Sequence, residues 1–176
     1  MIDDKELIAR IVVSNDHHAY RTLVAKYQSG IRQVLRRLTA GDHALADDLA
    51  QETFITLYRK LSSFRADAAL STWLHKIAYH HFLKSQRKAY KQHEQAEYDF
   101  DNFEVQEIDI DKDLTIEKLM RQLSLPERTC ITLSTSVGMS HIEITQVTEF
   151  PLGTVKSHIN RAQQKLKGFV RKSMNE

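Results

Sequence analysis

The sequence has 176 residues, of which 41% are hydrophobic and 27% charged, so it can bury the core of one ordinary domain or two small ones. Five glycines and two prolines are too few for the frequent turns of a β-sandwich or barrel, which favours an all-α fold. The single cysteine excludes an internal disulfide framework and a cysteine-rich zinc site.

The formal net charge of +2 conceals three blocks of different sign. Residues 1–93 hold 15 basic and nine acidic residues, a net charge of +6, and residues 114–176 hold nine basic and five acidic ones, a net charge of +4. Residues 94–113 hold nine acidic residues and one lysine, a net charge of −8, and show no sustained helical period of apolar residues. Like charges repel one another and extend such a segment. We predict two basic domains, 1–93 and 114–176, joined by an acidic linker, 94–113, with a solvated acidic helix as the alternative for the linker.

Apolar residues at helical spacing predict two helices in the second half of the N-terminal domain. The first helix has Asp42 as a suitable N-cap, directly after Gly41. Its apolar stripe consists of Leu45, Leu49, Phe54, Leu57, Tyr58 and Leu61. The stripe of the second helix consists of Leu70, Leu74, Ile77, Ala78 and His81.

The second of these helices lies in residues 68–93, a segment without any acidic residue. Its cations recur every three or four residues and so share one helix face: Lys76, His80, Lys84, Arg87 or Lys88, and Lys91. Four aromatic residues lie among them: Trp73, Tyr79, Phe82 and Tyr90. Because cations neutralise phosphates and exposed rings stack on unpaired bases, this mixture predicts binding to single-stranded or melted nucleic acid. The alternative is an amphipathic core helix with buried rings and a solvated basic face.

The C-terminal domain carries two S-x-x-E capping-box patterns, Ser124–Glu127 and Ser140–Glu143, which predict two helix starts. The second opens a short helix that ends near Thr148 and is followed by a break that contains Pro151. We expect Pro151 in the first turn of the next helix, where its missing N–H has no partner to lose. That next segment, residues 153–172, is long, basic and free of acidic residues. A short helix, a tight turn and a longer basic helix form the helix-turn-helix arrangement.

In a helix-turn-helix, the N-terminal side chains of the second helix meet base edges in the major groove. The candidate DNA contacts are Thr154, Lys156, Ser157, His158, Asn160, Arg161 and Lys165. We expect Val155, Ile159 and Leu166 to pack inward.

No motif in the sequence points to catalysis or to a bound metal. The histidine pairs His17–His18 and His80–His81 are adjacent, so their side chains point to different sides of a helix and suit one metal poorly. Phosphate-binding loops, zinc-protease motifs and nucleophile elbows are absent from the sequence. We therefore predict no enzymatic activity, no metal, no cofactor and no small-molecule substrate.

The sequence also predicts a cytoplasmic protein. Its N-terminal residues are acidic and lack the apolar run of a secretory signal. The aliphatic cluster at residues 11–13 is too short to span a bilayer.

Two stretches resemble signature motifs of bacterial sigma factors, specifically the extracytoplasmic-function (ECF) group. The match to region 2 consists of DDLAQETF at 47–54, FR at 64–65 and LSTWLHKIA at 70–78. The match to region 4 consists of LPE at 125–127, GMS at 138–140, EI at 143–144, PLGTVKS at 151–157 and RA at 161–162. The resemblance runs from residue 4 to residue 168 and implies a subunit that binds core RNA polymerase, directs it to promoters and helps to open the duplex.

The resemblance also implies which residues carry these tasks. The clamp helices of the largest polymerase subunit would be bound by Asp47, Asp48, Gln51, Glu52 and Ile55. The melted −10 element would be bound by Phe64, Arg65, Ser71, Thr72, Trp73, Lys76, His80, Lys84, Arg87 and Lys88. The helix that begins near Pro151 would read the −35 element as duplex DNA, and the acidic linker would thread the positively lined channel of the polymerase.

Several residues depart from the family pattern. His80 and Lys84 stand where the family often has Asn and Asp, and His158 stands where many members have Arg. Thr148 and Glu149 replace the common Leu-Gly of the turn, so the turn must accommodate the Cβ of Glu149. We expect these departures to alter promoter choice rather than to abolish function.

Members of the family are commonly held inactive by an anti-sigma factor, which the resemblance implies as a further partner. A different class of protein would also fit the basic helices: a stand-alone helix-turn-helix regulator that dimerises and binds a palindromic site without polymerase. A helical enzyme that acts on nucleic acid is a third reading, for which the sequence offers no candidate nucleophile.

Overall fold

A computed structural model describes residues 3–92 and 116–174, without the side chains of 90–92 and 172–174. Within these ranges the chain forms eight α-helices and one 3₁₀ turn, Leu61–Ser63, and no strand, which confirms the all-α prediction. The helices of the N-terminal half are α1 (Asp4–Ser14), α2 (His17–Leu38), α3 (His43–Lys60) and α4 (Leu70–Gln92). Those of the C-terminal half are α5 (Ile116–Arg121), α6 (Leu125–Ser136), α7 (His141–Thr148) and α8 (Leu152–Met174). The predicted linker, 94–113, lies outside the described residues.

Aspartate side chains cap the N-termini of α2 and α3. Asp42 accepts a hydrogen bond from the N–H of Leu45 at 3.0 Å, so the predicted N-cap of α3 is confirmed. Asp16 caps α2 by accepting from the N–H of Ala19 at 3.0 Å, and its other oxygen binds Arg10 Nη2 at 2.7 Å. The cap and the ion pair of Asp16 together fix the corner between α1 and α2.

Helix α2 forms the centre of the N-terminal half and packs against α1, α3 and α4. Its inward residues Leu23, Ile31 and Leu35 are completely buried. Each such side chain contributes about 1.5–3 kcal/mol by leaving water. The hydroxyl of Tyr20 donates to the carbonyl oxygen of Phe54 at 2.7 Å, which joins α2 to α3. Burial, with a smaller contribution from Tyr58, raises the pKa of Tyr20 to about 12.

Both predicted capping boxes are present in the C-terminal half. The N–H of Ser124 donates to Glu127 Oε2 at 3.0 Å, and the N–H of Ser140 donates to Glu143 Oε2 at 2.8 Å. Helix α8 begins at Leu152, so Pro151 precedes the first helical turn rather than lying within it. Helices α7 and α8 pack together through buried aliphatic side chains and form the predicted helix-turn-helix.

The turn between α7 and α8 accommodates a residue that is not glycine. Glu149 adopts the left-handed conformation, with a φ of 64°, and its N–H donates to the carbonyl oxygen of Thr145. The hydroxyl of Thr148 accepts from the N–H of Phe150 at 3.3 Å, which holds the next residue of the turn. The turn is therefore closed by local hydrogen bonds despite the departure from Leu-Gly.

The two halves of the molecule pack against each other, which the sequence did not predict. Helix α2 contacts α5 and α6, and α4 contacts α7, so one cluster of buried side chains runs through both halves. Arg121 Nε donates to the carbonyl oxygen of Ala40 at 3.1 Å, and Arg37 donates to the hydroxyl of Ser136. Gly41, with a φ of 95°, lies so close to Glu117 that a Cβ would come within 3.1 Å of the Glu117 Cγ. A larger residue at position 41 would be strained by this φ and would require Glu117 to move by a few tenths of an ångström.

Candidate polymerase and nucleic-acid interface

The polymerase-docking candidates lie on α3. Asp48, Gln51, Glu52 and Ile55 are exposed and follow helical spacing, so they share one face, called here the docking face. Ile55 is 50% exposed and adds an apolar side chain to these polar groups. The fifth candidate, Asp47, instead lies against α2 and has its Oδ1 within ion-pair distance of two arginines, Arg32 at 3.6 Å and Arg36 at 3.9 Å.

Two of the −10 candidates form an aromatic pair where the segment after α3 leads into α4. The rings of Phe64 and Trp73 have centroids 5.1 Å apart and are tilted by 42°, and both are half-buried against the core. Arg65, next to Phe64, is exposed. Ser71 is half-buried, and its carbonyl oxygen accepts from His75 Nδ1 at 2.7 Å.

The cations of α4 are divided between solvent and the C-terminal half. His80, Lys84, Arg87 and Lys88 are exposed along one side of the helix. Lys76 is half-buried, and its Nζ lies 2.9 Å from Glu149 Oε1. This ion pair is the main reason that the pKa of Glu149 lies below its usual value.

The prediction that the aromatic rings of α4 are exposed is wrong for two of them. Tyr79 and Phe82 are 5% and 1% exposed and belong to the hydrophobic core. They follow the apolar stripe of α4, which turns toward α3 and α2, so the alternative of buried rings holds for them. The side chain of Tyr90 lies outside the described part of the chain.

Thr72, another −10 candidate, is buried at the contact between α4 and α7. Its hydroxyl donates to Glu143 Oε1 at 3.5 Å. The hydrogen bonds that Glu143 receives from the N–H and hydroxyl of Ser140 lower its pKa, as does the weaker bond from Thr72. In this arrangement Thr72 and Lys76 therefore face carboxylates of the helix-turn-helix.

The seven −35 candidates on α8 differ in their exposure. Four of them are exposed at the start of the helix: Lys156, Ser157, Asn160 and Arg161. Thr154 is half-buried, and Val155 and Ile159 pack inward as predicted, with Leu166 partly buried against the core. His158 lies inside rather than on the exposed side, with its ring 5.6 Å from that of Phe150. As placed, it supports the turn and does not present its ring to a base edge.

Lys165 is also engaged within the fold. Its Nζ lies 2.8 Å from Oε2 of Glu127, a carboxylate that is only 3% exposed. Burial by itself would raise the pKa of Glu127, but the bonds from Lys165 and from the N–H of Ser124 outweigh it, so the pKa is lowered. The pair joins α6 to α8.

A basic groove of about 560 Å³ opens where α2, α3 and α5 meet, and it was not among the sites predicted above. Arg32, Arg36 and Arg37 supply its cationic wall, and His43 and Glu117 also line the groove. Arg32 lies four residues before Arg36 and five before Arg37 on α2, a spacing that places them on one side of the helix. The wall from α5, however, comes from a contact distant in sequence.

In the described ranges, 3–92 and 116–174, no group of three or more His, Cys, Asp or Glu side chains is arranged to hold a metal ion. None of the helices there is both long enough and apolar enough to cross a membrane.

Comparison with known proteins agrees with the two signatures. The family described as Sigma-70 region 2 matches residues 23–92, and Sigma-70, region 4 matches residues 113–166. The chain is 34% identical to the ECF RNA polymerase sigma-E factor of Escherichia coli K12 over 185 residues, which cover 96% of this chain and 95% of that protein. It is 28% identical to the protein of the same name from Haemophilus influenzae, with 98% of both chains covered.

Two solved structures share the fold at 22% sequence identity. The structure of CnrH in complex with the cytosolic domain of CnrY has a TM-score of 0.70 and covers 96% of this chain and 97% of the other. The sigma factor RpoE of Bartonella quintana, in complex with the anti-sigma factor NepR, has a TM-score of 0.71 and covers 86% of this chain and 96% of the other.

Proposed function

This chain belongs to the ECF family of RNA polymerase sigma factors, and from that premise we propose that it binds core polymerase through α3 and promoter DNA through α4 and α8. The observation that carries the proposal is that two of the exposed polar faces lie at family signatures. The docking face lies at the first signature of region 2, residues 47–54, and the exposed start of α8 lies within residues 151–162, where the last two matches to region 4 occur.

The polymerase contact is supported by the chemistry of the docking face. Two carboxylates and one amide share this face with the exposed Ile55. Opposite charge steers association with a basic partner and fixes its register, while the apolar side chain loses water on contact. We assign the contact to Asp48, Gln51, Glu52 and Ile55, and Asp47 to a supporting position beside Arg32 and Arg36.

The −10 contact is supported by the exposed cations of α4 and by the adjoining aromatic pair. His80, Lys84, Arg87 and Lys88 are available to phosphates. The half-buried pair of Phe64 and Trp73 lies beside exposed Arg65 and offers a surface where an unstacked base can lie. Lys76 and Thr72 are available to DNA only when Glu149 and Glu143 release them.

The −35 contact is supported by the exposed N-terminal side of α8. Lys156 and Arg161 carry charge for phosphates or for guanine, and Ser157 and Asn160 carry hydrogen-bonding groups for base edges. His158 and Lys165 enter this proposal as groups that support the helix. Neither polymerase docking nor DNA recognition calls for a catalytic group, and we give the chain none.

We further propose that an anti-sigma factor regulates the chain and that it works with polymerase in the cytoplasm. Both solved structures of similar fold contain a second protein, and one of these, NepR, is named an anti-sigma factor. The division into 1–93, 94–113 and 114–176 remains our proposal for the domains, with the linker in the polymerase channel.

The test is analytical gel filtration of the purified chain with bacterial core RNA polymerase. We expect the wild-type chain to co-elute with polymerase and Glu52→Arg to lose at least about tenfold in affinity, because a reversed charge repels a basic partner. The matched control is Glu6→Arg, the same substitution at an exposed position of α1, which should co-elute as the wild type does. A wild-type chain that elutes alone as a dimer, and binds a palindromic duplex without polymerase, would instead support the stand-alone regulator.

A further inference from the structure

One residue of the docking face, Glu52, is held by a histidine from another helix. Glu52 Oε2 lies 3.2 Å from Nδ1 of His81 on α4. The other ring nitrogen of His81, Nε2, lies 2.8 Å from the hydroxyl of Thr56, one turn further along α3. The Glu52 side chain is 60% exposed, whereas that of His81 is only 20% exposed. A largely buried ring therefore holds a largely exposed carboxylate.

The two bonds fit a neutral imidazole with one defined tautomer. Nδ1–H donates to the carboxylate of Glu52, and Nε2 accepts the hydroxyl proton of Thr56. Burial lowers the pKa of His81, and the charges of Lys84 and His80 act in the same direction, against the opposing effect of Glu52. The neutral ring satisfies both partners, so the arrangement persists at neutral pH without a charge on His81.

Holding the carboxylate has a consequence for binding. A glutamate on an exposed helix face samples several rotamers, and a partner that binds it must order them at a cost in affinity. A bond that already restricts the carboxylate in the free protein lowers this cost. The restriction here comes from α4, so the orientation of Glu52 depends on how α4 packs against α3.

We infer that His81 is a positioning residue for polymerase docking: its Nδ1–H fixes the carboxylate of Glu52 on the docking face, while Thr56 fixes the ring. The inference rests on the proposed function, since it gives Glu52 a contact with polymerase. His81 itself contacts no polymerase group in this account. It acts through Glu52 alone.

Substitutions at position 81 separate the contribution of Nδ1, which binds Glu52, from that of Nε2, which binds Thr56. Asparagine places its amide nitrogen near the position of Nδ1 and can still donate to Glu52, whereas glutamine reaches the position of Nε2 and retains only the contact with Thr56. Affinity for core polymerase is measured by fluorescence anisotropy for His81→Asn, His81→Gln and His81→Ala. We expect a loss of about 3- to 10-fold for His81→Ala and His81→Gln and near wild-type affinity for His81→Asn.

A double-substitution cycle shows whether His81 acts through Glu52. In the Glu52→Ala background, His81→Ala should cause no further loss of affinity, because there is no carboxylate left to position. The matched control is His18→Ala, at an exposed histidine of α2, and the free energy of unfolding of every variant is measured in parallel. If His81→Ala fails to fold, the difference in polymerase affinity between His81→Asn and His81→Gln tests the inference.

Three outcomes would overturn the inference while leaving the proposed function in place: undiminished binding by His81→Ala, equal losses for asparagine and glutamine, or additive losses in the cycle. A different result would show that the docking face does not bind polymerase. In that case Glu52→Arg binds polymerase as tightly as the wild type, whatever residue stands at position 81.

Discussion

Lys76 Nζ lies 2.9 Å from Glu149 Oε1, and this ion pair joins the −10 candidate face of α4 to the turn of the helix-turn-helix. A second contact, from the hydroxyl of Thr72 to Glu143 Oε1 at 3.5 Å, lies at the same junction. In both contacts a carboxylate of the C-terminal half binds a side chain of α4 that we propose to contact DNA. Contacts of Lys76 and Thr72 with DNA therefore require the two halves to separate at this point, whereas the exposed cations further along α4 are free of this requirement.

Charge reversal at this junction should open the molecule, and a second reversal should close it again. We expect Lys76→Glu and Glu149→Lys each to increase the radius of gyration measured by small-angle X-ray scattering, because each brings like charges together. The double variant Lys76→Glu with Glu149→Lys restores opposite charges and should return to the wild-type value. The measurement is made at low ionic strength, where exposed ion pairs are screened least.

Lys60→Glu is the matched control, since Lys60 is an exposed cation of α3. It should leave the radius of gyration unchanged. A double variant as expanded as either single variant would show that charge at positions 76 and 149 does not hold the halves together.

The left-handed conformation of Glu149 makes a separate prediction. At a φ of 64° a side chain is strained and glycine is not, so Glu149→Gly should raise the thermal stability of the helix-turn-helix. The same substitution removes the partner of Lys76, so it should also expand the molecule. Glu149→Asn, which tolerates this conformation but shortens the side chain, should expand the molecule with a smaller gain in stability. A lower melting temperature for Glu149→Gly would contradict the strain argument.

The features that the sequence predicted correctly are those with short-range causes. The Asp42 cap and the two capping boxes involve groups three residues apart, so each pattern names both partners of its hydrogen bonds. The inward positions of Val155 and Ile159 follow in the same way from helical spacing. Fold class and helix starts therefore needed no knowledge of the tertiary contacts.

The features that the sequence missed depend on which helix lies opposite. Tyr79 and His158 lie at spacings that allow either a buried or an exposed side chain, and only the packing of their helices decides. The ion pair of Lys76 with Glu149 joins residues far apart in the chain, so no local pattern encodes it. The segments of the chain that form the site could thus be predicted. Whether each side chain in them is exposed, buried or paired could not.

Replacement of Lys165 should shift acid unfolding to higher pH. The lowered pKa of Glu127 adds stability at pH values above its unfolded value, about 4.3, and this stability is lost as the pH falls through the folded value. Lys165→Met removes the ammonium group, so that only the hydrogen bonds from Ser124 oppose the effect of burial and the pKa of Glu127 rises relative to the wild type. We expect the midpoint of acid unfolding, followed by circular dichroism, to rise.

At neutral pH the same variant should lose about 1–2 kcal/mol of unfolding free energy, a value discounted for the 42% exposure of the Lys165 side chain. Lys167→Met is the control, because Lys167 is an exposed residue of the same helix. Equal acid midpoints for the two variants would show that Lys165 does not stabilise the ionised form of Glu127.

The thiol of Cys130 offers a local probe of the same packing. Cys130 is completely buried in α6, and burial raises its pKa to about 12, so the native protein presents almost no reactive thiolate at pH 8. Labelling by an aromatic disulfide reagent must then wait for the C-terminal half to open, and its rate reports the free energy of that opening. We expect labelling at least about 100-fold slower than in denaturant, since opening of a packed helix costs several kcal/mol.

Lys165→Met should accelerate labelling by about 5- to 30-fold, as the loss of 1–2 kcal/mol implies, whereas Lys167→Met should not. Fast labelling that neither variant changes would mean that α6 opens without breaking the bond between Lys165 and Glu127.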